Sequence, residues 1–198
     1  MMTARTLVLA MLASALVTCG DRTGSPPSSF KSIDLSTVTW GRDFHLTDHA
    51  GKPRSLADFK GQVVMLFFGY THCPDACPTT LAAMAQVRSK LGVDAQRMQG
   101  LFVTVDPKRD TPQVLAQYVP AFDPSFLGLY GDPGTTVALA REFKFYYSAQ
   151  QADAQGNYTV DHSAGIFVFD PQGRLRLMMR PGSAVDAMAT DVAQLLKE

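Results

Sequence analysis

"VVMLFFGYTHCPDACPTTLAAMAQVRSKLG", residues 63–92, holds the change of pattern from which the fold is read. Val63–Tyr70 is a continuous apolar run rich in Val and Phe, as in a strand buried on both faces. From Asp75 the period changes. Cys77, Leu81, Met84, Val87 and Leu91 recur at spacings of three and four, which predicts a helix, and Gly92 stands where such a helix ends. Pro78 must lie in the first turn, where its missing N–H is no loss, so the helix starts near Pro74 or Asp75. "LFVTV" (101–105) is the next buried strand. Strand, helix and strand, with both strands apolar throughout, predict a right-handed parallel crossover.

The flanking sequence extends this unit. "DFHLTDHAGKPRSL" (43–56) reads as two short strands around a turn at Gly51–Pro53. Thr111-Pro112 and Asp132-Pro133 each place a capping side chain before a proline at the first helical position. "FLGLY" (126–130) between them reads as a strand, and "GIFVFDPQGRLRLMM" (165–179) as a hairpin turning at Asp170–Gly173. Ser183 is expected to cap a last helix. The sum is an α/β thioredoxin-like fold. A βαβ unit and a ββα unit surround a central mixed sheet, with an N-terminal hairpin and an insertion between the units. The first cysteine falls at the mouth of the first helix.

The N-terminus has a different character. Arg5 precedes an apolar run from Leu7 to Val17, about the length of a signal-peptide core and too short to span a bilayer. It ends in "LVTCGD", which resembles a lipoprotein cleavage site with Cys19 as the lipidated residue. Ser, Pro and Gly dominate residues 20–32, as in a linker. The expected division is a signal peptide at 1–18, a flexible linker at 19–35 and one domain at 36–198. Apolar residues make up 46% and charged residues 18%, which places the domain among globular chains. With 18 basic and 18 acidic residues and no basic run, nucleic acid is excluded as a partner.

Cys73 and Cys77 carry the chemistry. A secretory signal sends them to an oxidising compartment, where thiols do not stay reduced unaided. Residues four apart on a helix have Cβ atoms about 5–6 Å apart, and modest distortion at the irregular start brings them to the ~3.8 Å of a disulfide. The helix N-terminus stabilises negative charge, so both thiols are expected to ionise below the free value of about 8.5. That suits a redox pair and a metal site equally. Three residues separate the cysteines, one more than in thioredoxin-type pairs, and a thiolate pair of this kind favours a soft ion such as Cu(I). A third ligand has to come from His45, His49, His72 or His162. His162, in "VDHSAGIFVFD" (160–170), enters the hairpin strand where the predicted fold faces the dithiol. His72 adjoins the pair and is placed to tune it, while His45 and His49 are expected to be solvated. Asp75 reads as a helix cap or a hydrogen-bond acceptor near the thiols, and Asp161 as a neighbour that diverges from His162. Met178 and Met179 point to opposite faces of a strand and read as core. Asp106–Asp110 reads as a turn entering the helix capped by Thr111, with partner docking as the other option.

"GYTHCPDACPTTL" (69–81), "VTVDPKRDTPQVL" (103–115) and "VDHSAGIFVFDPQGRL" (160–175) together resemble the Sco/SenC family of copper chaperones for cytochrome c oxidase assembly, over roughly residues 36–195. The resemblance implies a thioredoxin-like fold and copper ligands at Cys73, Cys77 and His162. It implies a place on the periplasmic side of the bacterial cell envelope, here with a lipid anchor at Cys19 where relatives often have a transmembrane helix. The partners implied are the copper-bearing oxidase subunit and a periplasmic copper donor or thiol reductant.

Three functions follow. The first is a metallochaperone, not an enzyme, that carries Cu(I) or Cu(II). The second is a thiol-disulfide oxidoreductase that cycles a Cys73–Cys77 disulfide and has no need of His162. A peroxidase using one activated thiolate ranks last, because it rests on fold analogy alone.

Overall fold

The computed structural model describes residues 30–198, so Cys19 and the expected signal peptide lie outside the described residues. In chain order the elements are β1 (Ile33–Asp34), β2 (Leu46–Asp48), β3 (Pro53–Arg54), β4 (Val63–Gly69), α1 (Ala76–Lys90), β5 (Met98–Thr104), α2 (Pro112–Tyr118), β6 (Leu127–Tyr130), α3 (Pro133–Glu142), β7 (Tyr147–Ala149), β8 (Val160–His162), β9 (Ile166–Phe169), β10 (Leu175–Met179) and α4 (Val185–Leu195).

All seven residues of β4 and all seven of β5 are buried, which fits the apolar run of β4 and the Leu101–Val103 stretch of β5. They pair in parallel from Val63 with Met98 to Gly69 with Thr104. The main sheet has eight strands in the order β1-β10-β9-β4-β5-β6-β2-β3, parallel through β4, β5 and β6 and antiparallel elsewhere. The expected βαβ unit (β4–α1–β5) and ββα unit (β9–β10–α4) share this sheet, and α1 packs against α4. Phe67, Phe68, Phe102, Phe126, Phe143 and Phe169 are fully buried around it. Burying each such ring contributes about 1.5–3 kcal/mol.

The proline caps form as expected. The side chains of Thr111 and Asp132 accept from Val114 N–H and Thr135 N–H, with Pro112 and Pro133 opening their helices. Gly92 follows α1 with φ +56°, a conformation that favours glycine.

Two element boundaries differ from the sequence reading. The domain begins before residue 36. Lys31 and Ser32 donate backbone N–H groups to the fully buried Asp191 carboxylate at 2.9 and 2.8 Å, and β1 then pairs with β10. A buried carboxylate needs donors, and this segment supplies them. Ser183 does not cap α4. The N-cap is Ala184, with no side-chain hydrogen bond, while Ser183 N–H donates to Arg180 C=O.

β7 and β8 lie outside the main sheet, as a two-stranded antiparallel ribbon in which Tyr147 faces His162. This arm brings a histidine back to the end of the sheet at which α1 begins.

Candidate metal centre

Three elements meet at the C-terminal end of β4. The chain leaves the strand at Gly69 and turns through Thr71 and His72, Cys73 N–H donating to Tyr70 C=O, before α1 opens with Asp75 as N-cap. Asp75 holds the cap position, but its side chain does not cap. The Cys73 sulfur does that work, accepting the Cys77 N–H at 3.4 Å. The first N–H groups of a helix have no intrahelical partner, so this sulfur is polarised by orphan donors.

Cys77 follows in the first turn and is fully buried. Its sulfur lies against the backbone of β4: a Cβ on Gly69 would stand 2.9 Å from it. His162, at the end of β8, turns its Nε2 to within 3.5 Å of the Cys77 sulfur. Its Nδ1 is 3.1 Å from the Ser163 carbonyl. That carbonyl fixes the proton on Nδ1 and leaves the Nε2 lone pair for a ligand. The rings of Phe67 and Tyr70 meet the imidazole edge to face at 6.0 and 5.9 Å.

The Cys73 and Cys77 sulfurs and an imidazole nitrogen of His162 all lie within 4.8 Å of one another. Donors bound to one ion at about 2.0–2.3 Å sit roughly 3.5–4 Å apart in a trigonal plane, so small movements gather these three around one ion. The donor set of two sulfurs and one imidazole suits a soft or borderline transition metal.

The two thiols differ, which corrects the expectation that both ionise easily. Burial works against ionisation of Cys73, but the N–H groups of Asp75, Cys77 and Ala76 outweigh it and hold its pKa below the ordinary 9.0. Cys77 goes the other way: burial dominates and pushes its thiol well above that value. Both cysteines are free thiols here, Cys73 half-buried at the surface and Cys77 beneath it.

A model of the SCO1/SenC family matches residues 34–197. The chain belongs to the SCO1/SenC family. Its fold is the thioredoxin-like fold of the Sco proteins. The solution structure of apo Sco1 from Thermus thermophilus superposes with a TM-score of 0.75 at 41% identity, over 84% of this chain and 97% of that one. Copper-bound ScoI from Bradyrhizobium japonicum gives 0.71 at 36% identity, over 77% and 97%. The mitochondrial SCO2 homolog of Mus musculus is 45% identical over 133 residues, 66% of this chain and 52% of the mouse protein. This SCO1/SenC chain thus spans about half the length of the curated mammalian relatives it matches.

The other candidates fall around the site rather than in it. His72 is half-exposed, with Nδ1 3.1 Å from Thr71 Oγ1 and 3.8 Å from the Asp110 carboxylate. His45 is exposed as expected, beside Asp43. His49 is only partly solvated: its Nδ1 accepts the Gly128 N–H at 3.0 Å, extending the pairing of β2 with β6. Asp161 turns away from the site and accepts from Gln150. Met179 is fully buried, and Met178 packs partly buried beside the core.

Sequence reasoning missed the carboxylates behind the thiols. Asp110 is almost fully buried and accepts from Thr71 N–H, Thr71 Oγ1 and Thr104 Oγ1 at 3.0, 2.5 and 2.6 Å, tying the turn before Cys73 to the end of β5. Asp106 accepts from Arg109 Nε at 2.5 Å and from the Tyr158 hydroxyl at 2.9 Å. Asp106 and Asp110 therefore face inward while Lys108 stays exposed, and an Asp closing a turn after a buried strand was the available signal.

Proposed function

We propose that this chain is a copper metallochaperone. It holds one copper ion through Cys73, Cys77 and His162 and passes it to the binuclear copper centre of cytochrome c oxidase during assembly. The observation that carries this reading is the convergence of two sulfurs and one imidazole within 4.8 Å, with Cys73 at the surface. The likeness to copper-bound ScoI supports it. Two thiolates and an imidazole satisfy Cu(I) with three ligands, leaving room for an acceptor to attack and take the ion. The same donors accommodate Cu(II). The copper-bearing oxidase subunit is the acceptor, and a periplasmic copper donor or thiol reductant loads the site. Lipidation of Cys19 anchors the domain on the periplasmic side of the bacterial envelope.

Titration of the reduced full chain with Cu(I) against a chelator tests the reading. One copper per monomer is expected, lost in Cys73→Ala, Cys77→Ala and His162→Ala. Reduced protein that surrenders its copper to a weak chelator overturns it.

The unequal thiols favour a second reading, a thiol-disulfide oxidoreductase. Cys73 is half-buried at the surface and easily ionised, as an attacking thiol needs to be, and Cys77 is buried within reach to close a disulfide. Oxidase assembly that survives His162→Ala supports this reading over copper delivery.

A further inference from the structure

The two halves of the site are anchored differently. The thiols are fixed by β4 and α1, at the centre of the main sheet. His162 belongs to the β7–β8 ribbon, which shares no strand pairing with that sheet. Something other than sheet hydrogen bonds has to hold β8 against the thiols. Tyr158, four residues before His162, is gripped in three ways. Its hydroxyl donates to Asp106 Oδ1 at 2.9 Å. Its carbonyl accepts from Arg109 Nη1 at 2.8 Å. Its ring lies 3.5 Å from the Arg109 guanidinium carbon, a close cation–π stack. The same guanidinium stands 5.7 Å over the ring of Tyr70, and the Tyr70 oxygen faces the Val160 N–H. Asp106 is itself fixed, its N–H donating to Thr104 Oγ1 at 2.9 Å. Thr104 pairs in register with Gly69, the residue against which Cys77 packs.

We propose that Arg109 and Tyr158 are positioning residues for His162: their clasp on the loop from Asp106 fixes where β8 delivers the imidazole relative to the two sulfurs. Neither residue touches the metal. Released from the clasp, the arm keeps its own ribbon pairing but swings on its Phe145 end, where that ring stacks on Phe68 at 4.0 Å. The thiols stay in place, and the imidazole is lost as a steady third donor. This rests on the copper reading for its consequence, but not for its geometry.

The test uses the full chain with Tyr158→Ala, Arg109→Gln and, as the conservative variant, Tyr158→Phe, which keeps the ring under Arg109. In copper-free protein, amide exchange at residues 160–163 is expected to speed up at least about tenfold in the first two variants, with β4 and α1 unchanged. This follows because local opening is governed by the contacts that hold a segment. In Cu(I)-loaded protein, release to a chelator is expected to become about 10–100-fold faster, as when groups that orient a ligand are removed. X-ray absorption should show weaker imidazole scattering, while stoichiometry stays at one copper. Tyr158→Phe should fall between wild type and Tyr158→Ala on both measures, and keeps the proposal testable if Arg109→Gln does not fold. Unchanged exchange at 160–163 overturns the clasp whatever copper does. Faster exchange with wild-type release and imidazole scattering overturns its positioning role. A wild-type chain that holds no copper refutes the proposed function instead, and the copper-free exchange then decides the clasp alone.

Discussion

The Cys77 sulfur and His162 Nε2 stand 3.5 Å apart although 85 residues separate them in the chain. Cys73, four residues before Cys77, is the outer member of the trio. The buried sulfur is thus the one tied to the histidine, and the surface sulfur is the one tied to the helix N-terminus. This division of labour sets how each thiol reacts.

Cys73 is expected to be alkylated first. Only the thiolate is nucleophilic, and helix N–H groups hold the Cys73 pKa below 9.0 while burial holds that of Cys77 above it. Iodoacetamide labelling of the reduced protein near neutral pH, followed by peptide mass spectrometry, should give singly labelled chain with the label on Cys73. Equal labelling of the two cysteines refutes the asymmetry.

Stability should fall above pH 9. The folded-state pKa of Cys77 is raised above the ordinary 9.0, so its contribution is present below that pH and is lost as pH rises beyond it. In that window the folded chain keeps a proton that the unfolded chain has released. Each such proton costs about 1.4 kcal/mol per pH unit. Cys73, with a lowered pKa, acts in the opposite sense: its contribution is complete above 9.0 and is lost as pH falls below it, so it adds no slope to the alkaline window. Urea unfolding at successive pH values should show a steeper alkaline decline for wild type than for Cys77→Ala. Parallel curves refute the assignment.

Gly69→Ala should damage the site from below. The added Cβ would meet the Cys77 sulfur at 2.9 Å and the Phe102 ring at 2.8 Å, and neither has space to retreat inside a filled core. Overpacking of this kind costs about 1–3 kcal/mol. Chemical denaturation should register that loss, and Cu(I) release should quicken in the folded fraction because one donor is displaced. Wild-type values on both measures would mean that the strand end yields freely.

The elements that the sequence announced are those whose signals are local. β4 and β5 read as buried strands because every side chain on them is apolar or tightly enclosed. α1 read as a helix from its period and from Pro78 in its first turn. The proline caps at Thr111 and Asp132 needed only adjacent residues. His162 was legible because it opens the segment that feeds β9, and three matched motifs placed it opposite the cysteines.

What stayed hidden depends on partners far along the chain. β1 is only two residues long, and its neighbours have no apolar period; its pairing with β10 and the tie to Asp191 come from the other end of the molecule. His49 looks like a surface histidine until Gly128, 79 residues on, supplies its donor. The opposite ionisation of the two cysteines follows from burial, which spacing alone does not encode. The grip of Arg109 on Tyr158 joins two loops that read separately as turns.

Asp191→Ala should free the N-terminal end of the domain without touching the metal site. Its carboxylate is fully buried on α4 and accepts from Lys31 N–H and Ser32 N–H, the two bonds that lead the chain into β1. Alanine leaves those two donors to find water, and the loss of such a buried acceptor costs about 1–3 kcal/mol. β1 pairs only Ile33 and Asp34 with β10, and Leu35 N–H adds one bond to Arg176 C=O, too few to hold the edge alone. Limited trypsin digestion should therefore cut the variant at Lys31 at an enzyme level that spares wild type. Cu(I) stoichiometry and release should stay unchanged, because the donors lie in the turn before α1, in its first turn and on β8, away from this edge. Resistance at Lys31 in the variant would show that β1 holds by strand pairing alone, and altered copper release would show that the edge and the metal site are coupled.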